Sequence, residues 1–141
     1  MQDPVALISA GRRARASGDL NAARSHYGEA AEGFRQKDNR LAYAHTVRHI
    51  ADMYLDEQQY AAAQPLYEEA LEIYRSDMDT KLLDLANAVR PYALLHEAMG
   101  NPIAGQLWLE ARNLYASLRI EAGVQECDAR LKRFKPMEQS G

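Results

Sequence analysis

Apolar and small residues return every third or fourth position along most of this chain, the spacing of one helix face. Asp3-Pro4 reads as a helix start, an acid cap before proline at the first helical position. The stripe then runs through Leu7, Ala10, Gly11 and Ala14. Gly18-Asp19 stops that helix and caps a second, whose inner side holds Leu20, Ala23, Tyr27, Ala30, Ala31 and Phe34. The polar run 36–40 breaks the pattern, with Asp38 as the expected cap of a third helix carrying Tyr43, Val47, Ile50, Ala51 and Tyr54. Glu57-Gln58-Gln59 is the next turn. It has no glycine, which predicts a residue held left-handed at a cost of about 1 kcal/mol. A fourth helix shows Ala63, Leu66, Tyr67, Ala70, Leu71 and Tyr74, with Pro65 near its start, and a fifth shows Leu82, Leu85, Val89, Tyr92 and Ala93. Gly100-Asn101-Pro102 reads as stop, cap and first turn of a sixth, with Ala104, Trp108, Ala111 and Tyr115 inside. A seventh, from about Glu121, presents Val124, Cys127, Leu131 and Phe134. Its other side, expected to face solvent, carries Glu126, Asp128, Arg130, Lys132 and Arg133. Alternation of period two is absent, so no strand is expected.

Three of these helices are copies. Leu66–Tyr74 (LYEEALEIY) is echoed by His26–Phe34 (HYGEAAEGF) and Leu107–Tyr115 (LWLEARNLY). The large aromatics Tyr27, Tyr67 and Trp108 are 40 (67 − 27) and 41 (108 − 67) residues apart. Each is followed by a glutamate (Glu29, Glu69, Glu110), a small residue (Ala30, Ala70, Ala111) and a closing aromatic (Phe34, Tyr74, Tyr115). Near-constant spacing of a copied helix marks a stacked helical repeat. Packing explains the pattern: the alanines let neighbouring helices approach, and the aromatics fill the space between pairs.

These residues carry a family resemblance. The chain resembles a tetratricopeptide repeat protein: Gly11, Gly18-Asp19, Ala23, Tyr27 and Ala30 stand at its repeat positions in the first copy. Ala51, Ala63, Tyr67 and Ala70 do so in the second, where the turn glycine is missing. Ala93, Gly100-Asn101, Ala104, Trp108 and Ala111 do so in the third. The spacing exceeds the common period of about 34 and is similar to the longer repeats of kinesin light chains, which residues 59–75 also resemble. The resemblance implies an all-α, right-handed α-solenoid of three helix hairpins (about 3–37, 38–77 and 79–118) and a capping helix at about 121–134. Together these make one domain over 3–134, followed by a frayed tail at 135–141.

Composition narrows the setting. The net charge of −3 gives no reason to expect nucleic acid or an acidic membrane surface as partner. The start of the chain lacks the charged and apolar regions of a signal peptide, and no stretch has the length of a membrane span. A lone Cys127 forms no internal disulfide and reads as a small core residue. The cytoplasm is the expected compartment.

In arrays of this family the first helix of each pair lines a concave groove. The resemblance therefore places Ile8, Arg12 and Arg15, then His45, Arg48, His49, Asp52 and Asp56, then Asn87, Arg90, Pro91, Leu94 and Glu97 along it. Arginines recur on successive helices, and guanidinium groups pair bidentately with carboxylates. The expected function is a non-catalytic module that holds an extended acidic peptide through Arg12, Arg15, His45, Arg48, His49, Asp52, Asn87, Arg90 and Leu94. Against it stands a plainer reading, in which the arginines are surface charges tied to Asp52, Asp56 and Glu97. The alternative function is self-association, as a dimer or end to end, through the first or last helix. His45, His49 and Asp52 share one helix face and are zinc-ligand types. The zinc-protease pattern needs glutamate where Thr46 stands, so neither metal, cofactor nor catalytic residue is expected. His26 and His96 read as packing or surface residues, and Pro91 as a helix-interior proline that frees the Asn87 carbonyl.

Overall fold

In a computed structural model, residues 2–134 are described; the expected 135–141 tail lies outside them. They form seven α-helices and, among the described residues, no strand. The helices are α1 Pro4–Ala16, α2 Leu20–Gln36, α3 Arg40–Asp56, α4 Tyr60–Ser76, α5 Leu82–Ala98, α6 Ala104–Ser117 and α7 Glu121–Leu131. The chain divides into two units, residues 1–78 and 79–141. In the first, α1 packs on α2, α2 on α3 and α3 on α4; in the second, α5 packs on α6 and α6 on α7. Helices that lean on their chain neighbours in sequence order are the all-α solenoid class that the repeats predict.

One turn serves every junction inside a unit. At Gly18, Asp38, Gln58, Gly100 and Arg119 the backbone φ is positive, between 55° and 85°. The next N–H then reaches back to the carbonyl five residues earlier: Asp19 to Ala14, Asn39 to Phe34, Gln59 to Tyr54, Asn101 to His96 and Ile120 to Tyr115, at 2.8–3.0 Å. This is the Schellman ending, which satisfies carbonyls left over at the helix end. Gln58 is thus the left-handed residue expected in the second intra-repeat turn. The α4–α5 connection is built otherwise, with Asp77 extended (φ −99°, ψ 121°).

Two capping expectations are corrected. Asp38 holds the left-handed position, and it is Asn39 Oδ1 that caps α3, accepting from the Ala42 N–H at 3.2 Å. A residue at positive φ cannot also take the extended geometry of a cap. Asn101 accepts from the Ile103 N–H at 3.1 Å, two residues on rather than three, and α6 begins only at Ala104. The other caps follow the sequence: Asp3 serves Val5 and Asp19 serves Ala22.

The repeated residues form the core. Tyr27, Tyr67, Trp108, Ala30, Ala70 and Ala111 are all buried, as are Ala23, Ala63 and Ala104 one turn or more before the aromatics. Close approach explains Gly11, where a Cβ would sit 3.0 Å from the Tyr27 ring, and Gly123, where it would sit 2.5 Å from that of Tyr115. A side chain at Gly11 would need the Tyr27 ring to give by a few tenths of an ångström, and one at Gly123 would force the Tyr115 ring to move outright. Cys127 is buried, and its thiol is pushed up to about 11, first by burial, which suits a packing residue.

Candidate functional site

In the first unit, an open pocket of about 350 Å³ is lined by Arg12, Arg15 and Ala16 of α1, Tyr27 of α2 and His49 of α3. Arg12 and Arg15 lie three positions apart, so both side chains serve one face of α1. The Tyr27 and His49 rings lie nearly parallel, 9° apart with centroids at 5.9 Å, and His45 meets His49 edge-on at 4.6 Å. Arg15 Nη2 donates to Asp56 Oδ2 at 3.1 Å, an ion pair that ties the end of α1 to the end of α3. Arg12 is exposed and, among the described residues, has no ion pair.

Beside the pocket the charges are matched. Arg48 Nη1 donates to Asp52 Oδ2 at 2.9 Å, one turn on along α3. The Tyr67 hydroxyl, from α4, donates to the other oxygen of Asp52 at 2.5 Å. Burial raises the Asp52 carboxyl above its ordinary value, although Arg48 and Tyr67 pull it down. Burial and the nearby Asp52 charge raise the Tyr67 hydroxyl as well, which therefore stays a donor. His49 is held at about 3, first by burial and then by the positive charges of Arg48, His45, Arg15 and Arg12. The pocket floor is therefore a neutral imidazole beneath cationic walls. Arg48 Nη2 lies 3.4 Å from His49 Nε2; a guanidinium only donates, so that nitrogen is the acceptor and the ring proton is assigned to Nδ1. Nδ1 is buried without a hydrogen-bond partner among the described residues.

In the second unit the predicted residues are engaged internally. Arg90 grips Glu126 of α7 with Nε and Nη2 at 2.6 and 2.8 Å. That bidentate pair raises the guanidinium and lowers the carboxyl. Asn87 Oδ1 accepts from the Tyr115 hydroxyl at 2.8 Å, and Leu94 is half-buried. Pro91 is buried within α5. Glu97 accepts from Trp108 Nε1, Arg130 and Arg133 at 2.9, 2.7 and 2.9 Å. Arg112 of α6 reaches Asp128 at 3.0 Å. The face of α7 expected to meet solvent is thus corrected in part: Glu126, Asp128, Arg130 and Arg133 hold it to α5 and α6.

The structure brings Arg12, Arg15, His45, Arg48, His49 and Asp52 together in one unit and sets Asn87, Arg90 and Leu94 in the other. Asp56 as the partner of Arg15 was legible as a nearby acid. Tyr27 as a pocket wall was not, because its spacing marked it only as core.

The same repeat pattern is found by comparison with known families. A family model described as tetratricopeptide repeat matches residues 5–76, just over half of the chain. The chain belongs to the tetratricopeptide repeat family. No curated protein matches it at a significant level. Tetratricopeptide repeats as a family are interaction modules that bind other proteins and typically lack catalysis. In this tetratricopeptide repeat protein the match spans all but the first helical residue of the first unit, which holds the cationic pocket. Among the described residues, no helix is long and apolar enough to cross a membrane.

Proposed function

We propose that this chain is a non-catalytic module that binds an extended acidic peptide along the α1 and α3 face of its first unit. The observation that carries this reading is the pocket whose cationic wall includes Arg12, a guanidinium without a counter-ion among the described residues. A protein of net charge −3 that keeps an unneutralised arginine beside a second one offers a local anion site against an acidic background. Such a contrast favours one orientation of an acidic partner over others. The aromatic floor adds apolar contact for the stems of Asp or Glu side chains. His45, Arg48, His49 and Asp52 form the supporting layer, their own charges matched or suppressed by burial.

Fluorescence anisotropy with a labelled octaglutamate peptide tests this, beside end-blocked octalysine and Gly-Ser peptides of equal length. Octaglutamate alone should bind, and a rise from 50 to 300 mM salt should weaken it several-fold. Equal binding of all three peptides, or none by the acidic one, would remove the reading.

A further inference from the structure

The pocket residues do not contribute equally. Of the four arginines expected along the faces of α1, α3 and α5, Arg48 is held by Asp52 and Arg90 by Glu126. Arg15 is held too, but by a looser partner: the Asp56 side chain is 66% exposed and that of Arg15 33% exposed. At Arg48 and Asp52 the corresponding figures are 15% and 17%. Asp56 makes no other hydrogen bond or ion pair among the described residues, whereas Asp52 also accepts from Tyr67.

Building on the peptide-binding reading, we propose that the pocket seats one ligand carboxylate on Arg12, and that Asp56 is its built-in competitor for Arg15. In the free protein Asp56 occupies the Arg15 fork. In the complex the ligand carboxylate bridges Arg12 and Arg15, and Asp56 swings out to solvent, where its charge is well hydrated. Arg12 supplies a positive charge that no acid among the described residues matches, and displacement of Asp56 presents that of Arg15 beside it, with His49 neutral beneath them. The planar fork of a guanidinium matches a carboxylate with two parallel hydrogen bonds, and Ala16 with the Tyr27 ring gives the adjoining carbon atoms an apolar wall. The carboxylate can come from an internal acidic side chain or from a chain end, since both present the same group.

The consequence is unusual for an acidic residue beside a binding site: its removal should strengthen binding. The test compares wild type with Arg12→Ala, Asp56→Asn, Lys37→Ala and Asp38→Asn, all checked for unchanged helicity. Asp38→Asn makes the same change in net charge at an exposed turn of the same unit. Two calorimetric probes separate the sources: an end-blocked octapeptide with glutamates inside, and a glycine-serine octapeptide whose single carboxylate is its free end. For whichever probe binds, Asp56→Asn should tighten binding about two- to five-fold over Asp38→Asn, the range set by the worth of an exposed ion pair. Arg12→Ala should weaken it about tenfold or more, and Lys37→Ala, which removes one positive charge at an exposed position of the same unit outside the pocket, should change it less than twofold. If Asp56→Asn binds no tighter than Asp38→Asn, or Arg12→Ala binds as well as wild type, the assignment of this pocket is overturned while the peptide-binding reading stands. If wild type binds octaglutamate but neither probe, the pocket assignment alone falls; if it binds none of the three, both fall.

Discussion

Arg48 and Arg90 stand at the same place in their repeats, three residues before the small residue that marks the first helix, Ala51 in one case and Ala93 in the other. In the first unit Arg48 pairs with Asp52 on its own helix. In the second, Leu94 takes the place of Asp52, so there is no acid one turn on, and Arg90 reaches across to Glu126 of α7. A single residue, acid or leucine, decides whether the arginine stays on its helix or fastens a neighbour. The contrast continues at the next matched position. Arg15 on α1 ties itself to an exposed acid on α3, whereas Glu97 on α5 gathers Arg130 of α7, Arg133 just beyond it and the Trp108 indole. Polar groups on these helices serve internal fastening in the second unit. In the first they leave the pocket arginine Arg12 without an acid partner among the described residues.

The largest way to break that contrast is to remove the fastening. Glu97→Ala leaves the N–H of the fully buried Trp108 without its acceptor and frees both arginines. A lost hydrogen bond to a charged group plus an unsatisfied buried donor gives about 3 kcal/mol of destabilisation. Glu97→Gln keeps an acceptor for the indole and should lose only about 1 kcal/mol. Trp108 is the only tryptophan in the sequence, so its fluorescence during urea unfolding reads the second unit directly. Equal midpoints for Glu97→Ala and wild type would mean that α7 is held by packing alone.

A smaller effect separates the first unit. His49 accepts a proton near 6.5 in the unfolded chain and near 3 in the folded one. Protonation therefore favours unfolding: this contribution to stability is complete above about pH 6.5 and declines as pH falls towards 3. From pH 6.5 to 5 the loss is about 2 kcal/mol by linkage, or closer to 1 because the ring is only half-buried. The groups facing it are Arg12 and Arg15 from α1, Tyr27 from α2, and His45 and Arg48 on α3. Asp52 acts in the opposite sense, because its folded value is raised from 3.8, and the comparison with His49→Gln between pH 6.5 and 5 separates the histidine from it. Denaturation curves of wild type and His49→Gln should differ in slope against pH there. Parallel curves would show that the imidazole is not shielded as described.

Packing was legible in the sequence and pairing was not. Tyr27, Tyr67, Trp108 and the alanines three positions on announce their burial by period, since each packs on a helix adjacent in the chain. Gly18 and Gly100 announce their turns by residue type. Glu126 gave no such sign: its partner Arg90 is 36 residues away, and α7 read as a lid with its charges facing solvent. Long-range ion pairs follow from which helix faces meet, and no local period records that.

The smallest effect concerns the turns, and there the two units match, except that Gly100 in the second has Gln58 as its counterpart in the first. Gln58 sits at φ 59°, where Gly18 and Gly100 sit at 85° and 71°. A left-handed residue with a Cβ costs about 1–2 kcal/mol, and glycine would remove that. Glycine also loosens the unfolded chain, which offsets roughly 0.4–1 kcal/mol. The difference leaves Gln58→Gly more stable than wild type by about 0.5 to 1 kcal/mol, since the Schellman bonds from Gln58 to Leu55 and from Gln59 to Tyr54 use only backbone atoms and survive the change. Thermal unfolding followed by circular dichroism should show a rise of a few degrees. A fall would mean that the Gln58 side chain, exposed as it is, stabilises the α3–α4 turn by more than its backbone strain takes away.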